Sequence, residues 1–181
     1  MLISDRDGVL FDTCRANFQS YVASAQKFGI KTDFEALANA IHQGRSFQSF
    51  YLEVWGELSE KELKLMSSEK KSLFKESSSL VKVNSNFIEL TLIGEKNPYL
   101  VTRASLPSTL YLLEVFQIGI FEHRVVSVPS GESKSARFGE IAKSLNLLPS
   151  EILVIDDSLD VAKESSLLGF NTIHYPHFCD F

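Results

Sequence analysis

The sequence predicts an α/β protein, a parallel β-sheet with helices on both faces, interrupted near its start by an all-helical insertion. Short apolar runs at Leu2-Ile3-Ser4, Tyr99-Leu100-Val101-Thr102 and Val125-Val126-Ser127-Val128 alternate with amphipathic stretches of helix length. That alternation is the pattern of parallel strands joined by crossover helices, expected to be right-handed. Ile152-Leu153-Val154-Ile155 is unbroken apolar sequence, as in a strand buried on both faces. Residues 14–82, by contrast, carry helical spacing throughout and no strand pattern.

After the first strand, Thr13 is positioned to cap a helix reaching about Phe28, with Cys14, Phe18, Tyr21, Val22 and Ala25 on its apolar face and Gly29 at its end. Asp33 is a good N-cap for a second helix to about Gln43, broken by Gly44. Phe47, Phe50, Tyr51, Val54 and Trp55 form an aromatic helical stretch, expected to supply the insertion's own core. Ser59 and Glu62 make a capping-box pattern for a longer Lys- and Glu-rich helix through Ser77. Three serines, Ser77 to Ser79, then lead back toward the sheet.

Phe87 to Ile93 satisfies either period and is assigned to helix, because Gly94 follows and a strand begins soon after. A helix from about Ser105 to Gln117 places Leu106, Leu110 and Leu113 on one face. Another, from Ser133 to Asn146, buries Phe138, Ile141, Ala142 and Leu145. The last pair is a helix from Ser158 to Leu168 and a strand near Asn171 to Tyr175.

Composition limits the function classes. With 44% hydrophobic and 23% charged residues, the chain resembles ordinary globular proteins. A net charge of −5 argues against a general nucleic-acid binder and leaves a phosphorylated small molecule possible. No apolar stretch is long enough to span a bilayer, so no membrane partner is expected. Cys14 and Cys179 give neither metal-ligand spacing nor a framework of bridges. The expectation is a reduced, cytoplasmic setting, with Cys14 as a helix-packing residue.

In open α/β sheets the ligand site lies beyond the carboxyl ends of the strands. Those ends carry Asp5 and Asp7, then Thr102, then the loop before Lys134, then Asp156 and Asp157. Asp5 and Asp7 are expected on one side of an extended backbone, where two close carboxylates call for a metal ion, for acid/base chemistry, or for both. Gly8 suits a tight turn offering backbone N–H groups to an anion. Arg6 is expected to point away from both aspartates.

Asp5-Arg6-Asp7-Gly8-Val9-Leu10-Phe11-Asp12-Thr13 closely resembles the first motif of the haloacid dehalogenase superfamily of aspartate-nucleophile phosphohydrolases. Val101-Thr102 resembles its second motif, Gly131-Glu132-Ser133-Lys134 its third, and Val154-Ile155-Asp156-Asp157-Ser158-Leu159-Asp160 its fourth. The resemblance covers about residues 1–13 and 84–175, with four motifs in the right order. Only Arg6 and Arg103 depart from the usual pattern, being more charged than expected at their positions.

The resemblance implies a Rossmann-like core over residues 1–13 and 83–181, with residues 14–82 as a helical cap like those of phosphoglycolate phosphatases and β-phosphoglucomutases. Hinges are expected near Asp12–Arg15 and Val81–Ser85. It implies Asp5 as nucleophile and Asp7 as general acid/base. Mg²⁺ would be held by Asp5, the backbone carbonyl of Asp7, and Asp156. Thr102 would donate to a phosphoryl oxygen and Lys134 would offset negative charge. Asp157 and Asp160 would orient Lys134 or a metal-bound water, or would cap the following helix; Asp12 is expected to cap the helix after it. Arg15, Arg45 and Arg103 are candidate substrate contacts, with His42, Gln43 and Gln48 near Arg45.

The expected partner is a small phosphorylated metabolite, for a monomer or homodimer. A phosphomutase, a phosphonate-cleaving enzyme using Lys27 or Lys31, and a non-catalytic binding module stand as alternatives. Dehalogenation is disfavoured by Asp7.

Overall fold

The structure, a computed structural model, describes residues 1–45, 47–94, 97–121, 123–129 and 131–179. The strands are β1 (Leu2–Ser4), β2 (Phe11–Asp12), β3 (Lys82–Val83), β4 (Tyr99–Thr102), β5 (Val125–Ser127), β6 (Leu153–Asp156) and β7 (Asn171–His174). The helices are α1 (Cys14–Lys27), α2 (Phe34–His42), α3 (Phe47–Trp55), α4 (Glu60–Glu76) and α5 (Ser85–Gly94), followed by α6 (Leu106–Val115), α7 (Lys134–Ser144) and α8 (Leu159–Leu167). Two compact units result, one of Met1–Phe11 with Val83–Phe178 and the other of Asp12–Lys82 with Cys179.

The first unit is built on a five-stranded sheet in the order β5-β4-β1-β6-β7, every neighbouring pair parallel and flanked by helices. Its core packs Ile3, Val101 and Val154 of the central strands against Phe138, Ile141 and Ala142 of α7, with Val161 and Phe170 beyond. Leu145, expected in that core, is 37% exposed, since α7 has already ended at Ser144.

On α6 the buried residues are Thr109, Leu112 and Leu113, while Leu106 and Leu110 lie outward. The stripe read from the leucines was rotated, because Thr109 takes an inward place: its hydroxyl bonds Ser105 O at 3.1 Å and accepts from Arg6 Nη1 at 3.3 Å. A hydrogen-bonded threonine can occupy such a position, whereas an unsatisfied one would be costly.

The second unit is helical, as its periodicity predicts. Asp33 and Ser59 cap their helices by accepting from Ala36 N and Glu62 N, and Glu62 reaches back to Ser59 N at 2.8 Å to complete the capping box. Tyr21, Phe47, Phe50 and Trp55 form one aromatic cluster, with the Tyr21 and Phe47 rings stacked at 5.9 Å. Met66 joins that core, and Ser24 Oγ donates to Met66 O at 2.9 Å, tying α1 to α4.

Two features of this unit differ from expectation. Cys14 packs in the core and is also bonded to Cys179 as a disulfide, with Cα atoms 5.9 Å apart. Two cysteines this distant in sequence carry no pairing signal. The short strands β2 and β3 pair where the chain crosses between units, and two residues are too few to produce an alternation.

Candidate active site

Parallel register builds the site at one edge of the sheet. Ser4 is paired with Ile155, and Asp5 N donates to Ile155 O at 2.9 Å. Asp5 and Asp156 therefore leave adjacent strands at the same level. Thr102 ends β4 on the other side of β1. Asp5, Thr102 and Asp156 are all buried.

Lys134 opens α7, behind the N-cap Ser133. A lysine in a helix's first turn opposes the helix dipole, and a buried one needs counter-charge. Two carboxylates provide it: Lys134 Nζ lies 2.8 Å from Asp5 Oδ1 and 2.7 Å from Asp156 Oδ2. Burial alone would lower the Lys134 pKa, and Asp5 and Asp156 more than offset it, holding the ammonium above its usual range. Asp5 is pushed well above the ordinary carboxylate range, by burial first; Lys134 opposes the rise, while Asp156 and Asp157 add to it.

Carboxylate oxygens of Asp5, Asp156 and Asp157 all lie within 4.8 Å of one another. Asp156 Oδ1 accepts from Ser158 N at 2.9 Å. Its Oδ2, although ion-paired with Lys134, is the one buried side-chain polar atom among the described residues that no aligned hydrogen bond reaches. A cluster of hard oxygens, one of them buried with only the Lys134 ammonium beside it, fits a divalent cation of the magnesium or calcium kind.

Asp157 belongs to this cluster and is not the helix cap, a task that falls to Ser158, whose side chain accepts from Val161 N. Asp160 is exposed in the first turn of α8, outside the cluster. Asp12 does supply a carboxylate at the start of α1, accepting from Cys14 N at 2.9 Å, while Thr13 makes no side-chain cap.

The Asp5–Asp7 segment departs from the extended geometry expected for it. Strand β1 stops at Ser4, and Arg6 to Phe11 form a turn closed by Leu10 N and Phe11 N on Arg6 O. Arg6 does not point away. Its side chain is buried and folds back on Asp7, with Nη2 at 2.8 Å from both carboxylate oxygens and Nε at 3.1 Å from Oδ1. Once the strand ends, the alternation that would have separated the two side chains no longer applies.

Gly8 has φ +74°, a conformation that glycine adopts without strain. Its N–H donates to Phe11 O at 2.9 Å, so it closes the turn and does not face an anion. Its missing Cβ has a second consequence: a Cβ there would overlap His177 Nδ1 and Asp157 Oδ2, which are in contact with each other. Phe178 N donates to Gly8 O at 2.7 Å, so residues 175–178 cross the turn. Nothing in the sequence placed His177 here, since it follows Asp157 by a helix, a strand and a loop.

Among the candidate substrate contacts, Arg103 is exposed beside Thr102 in the sheet unit. Arg15 and Arg45 belong to the helical unit. Arg15 is exposed, as are His42, Gln43 and Gln48, whereas Arg45 is engaged by Glu53 at 2.8 Å and by Ser49 O at 2.6 Å.

No protein-family model and no curated protein matches the chain. Solved structures do match in fold. A haloacid dehalogenase-like hydrolase from Streptococcus pneumoniae superposes with a TM-score of 0.75 at 16% identity, covering 94% of this chain and 81% of its own. A predicted phosphoglycolate phosphatase from Haemophilus somnus gives 0.75 at 20% identity, covering 95% and 83%. A β-phosphoglucomutase from Clostridium difficile gives 0.68 at 21% identity, covering 94% and 82%. The chain has the fold of haloacid dehalogenase-like hydrolases, as its four sequence motifs imply.

Proposed function

We propose that this chain, on its haloacid dehalogenase-like fold, is a phosphohydrolase that cleaves a small phosphate monoester with Mg²⁺ as cofactor. The observation that carries the reading is the convergence of Asp5, Asp156 and Asp157 at the carboxyl edge of the sheet, with Lys134 paired to the first two. An unreactive scaffold has little reason to keep three carboxylates crowded together with one lysine between two of them, because each charge taken from water costs several kcal/mol.

Asp5 attacks phosphorus, and an aspartyl-phosphate forms as the leaving group departs. Asp5, Asp156 and Asp157 would hold Mg²⁺, joined by the Asp7 backbone carbonyl that the resemblance implies. When bound, the cation supplies the charge that lets a carboxylate approach a dianionic phosphate. Lys134 steadies the phosphoryl oxygens as they gain charge. Thr102 Oγ1 accepts from Ala104 N at 3.0 Å, which orients the hydroxyl to donate its own proton to a phosphoryl oxygen. Asp7 is the acid/base group, and Asp157, held by His177, keeps its carboxylate turned to the cluster.

The test is release of p-nitrophenol from p-nitrophenyl phosphate with Mg²⁺ and with chelator. Turnover that needs Mg²⁺ and is lost in Asp5→Asn is the expected result. Absence of metal-dependent turnover, or turnover indifferent to Asp5→Asn, would favour a binding module that retains the fold.

A further inference from the structure

Residues 175–178 are fixed at both ends, and one of those ends is a bond that chemistry can open. Tyr175 N donates to Asp156 O at 2.9 Å, its hydroxyl accepts from Asn84 Nδ2 at 3.0 Å, and its ring meets Phe87 edge to face. At the other end Cys179 is joined to Cys14. Between the two, His177 contacts Asp157, and Phe178 N donates to Gly8 O at 2.7 Å. The segment lies so close over the turn that a Cβ on Gly8 would overlap the His177 ring.

Cys14 is only six positions after Gly8, so the disulfide closes a short ring. It runs from Gly8 along the chain to Cys14, across the S–S bond to Cys179, and back through Phe178 N to Gly8 O. A contact tethered on both sides meets its partner at high effective concentration and re-forms at once when it breaks. Pro176, with its φ fixed by the pyrrolidine ring, leaves the short span still less freedom.

We propose that the Cys14–Cys179 bond is a redox site opened by a dithiol, and that its state sets how firmly His177 is held on Asp157 and with it the affinity of the carboxylate cluster for Mg²⁺. The inference deepens the phosphohydrolase reading above and rests on it for the role of the cation. Burial gives the direction of the exchange. Cys14 is 2% exposed and Cys179 only half-buried, so Cys179 Sγ is the sulfur that an incoming thiolate reaches.

Attack there forms a mixed disulfide, and the S–S bond breaks with its electron pair leaving on Cys14 Sγ, which takes up a proton. The second thiol of the reductant then attacks the first, releases Cys179 as a thiol, and leaves as an internal disulfide. Two electrons and two protons have passed from the dithiol to the cysteines. With this anchor open, residues 176–178 are held from Tyr175 alone. His177 then parts from Asp157 more often, and Asp157 loses the partner that keeps its carboxylate turned to Asp5 and Asp156.

The experiment titrates Mg²⁺ calorimetrically into the folded protein before and after dithiothreitol, and follows hydrogen exchange of the Phe178 amide by NMR in the same samples. Dithiothreitol should release both thiols without unfolding the chain. The Phe178 amide should then exchange about tenfold faster or more. The Mg²⁺ Kd should rise by about tenfold, the lower end of what losing the partner of a ligating side chain costs. Cys179→Ser, chosen because that side chain is half-buried, should match the reduced protein with or without dithiothreitol. His177→Ala should bind Mg²⁺ as weakly with the disulfide intact, and reduction should add little.

A bond that acts only on the unfolded chain would lower stability on reduction and leave Mg²⁺ affinity and Phe178 exchange unmoved; that result overturns the proposal. So does a bond that dithiothreitol opens only after the protein has unfolded. Failure of the phosphohydrolase reading looks different. Absence of Asp5-dependent turnover, with Mg²⁺ binding still answering to the bond, would remove the hydrolase and leave the redox site standing. Absence of Mg²⁺ binding in the oxidised protein would overturn both.

Discussion

Lys134 Nζ and Asp5 Oδ1 stand 2.8 Å apart, and both side chains are withdrawn from water. A pair buried this way contributes little net stability when intact, yet breaking it leaves uncompensated charge. Lys134→Met strands Asp5 and Asp156 side by side. We expect a stability loss of about 3–5 kcal/mol in urea unfolding at neutral pH. The loss should shrink in acid, where the carboxylates take up protons. Turnover should fall by about 100-fold or more even under conditions where the variant is folded.

The raised Asp5 pKa fixes the sign of a pH effect. A carboxyl whose folded pKa lies above its unfolded one contributes stability below the unfolded value and loses it as pH rises through the folded value. Thermal unfolding in chelator should therefore show this contribution fading as pH rises. Excess Mg²⁺ favours the ionised form, so the rise in Tm on adding it should grow over the same interval. Asp5→Asn should flatten both trends. A Mg²⁺ effect independent of pH would count against Asp5 as a ligand.

Gly8 tests the turn. Alanine at φ +74° carries backbone strain of about 1–2 kcal/mol, and its Cβ must also displace His177 or Asp157. Gly8→Ala should thus cost more than the strain alone. In the double variant with His177→Ala the added cost should be smaller than the sum of the two single ones, the mark of residues in contact. Additive losses would mean that the His177 ring does not meet the new methyl.

Reduction probes the Cys14–Cys179 bond. Joining residues 165 apart removes much freedom from the unfolded chain, so dithiothreitol should lower stability by about 2–5 kcal/mol. Cys14→Ser should unfold at the same temperature with and without reductant. A reductant effect that persists in Cys14→Ser would place its origin elsewhere.

Periodicity carried most of the fold. The strand ending at Thr102, the helix caps at Asp33 and Ser59, the helix starts near Ser105 and Ser133, and the aromatic cluster of Phe47, Phe50 and Trp55 follow from local patterns that the structure repeats. The candidate site was legible because strand ends in a parallel sheet converge, so Asp5, Thr102, Asp156 and the loop before Lys134 could be placed together by position. What escaped notice depended on contacts without a local signature. Arg6 folds onto Asp7 because the strand stops one residue before Asp5, a boundary finer than pattern reading resolves. His177 and Cys179 find their partners through a chain segment with no repeat, and Thr109 is buried because a distant arginine meets its hydroxyl.

The place of β1 has a bearing on how the protein is made. It precedes the helical segment in the chain, yet its neighbours β4 and β6 both follow that segment. Residues 12–82 hold mostly nearby contacts and are suited to fold during synthesis, while Leu2 to Ser4 must wait unpaired for the strands on either side. A ribosome stalled before Asp156 emerges should therefore display a folded helical segment while the carboxylate cluster of Asp5, Asp156 and Asp157 is still unassembled.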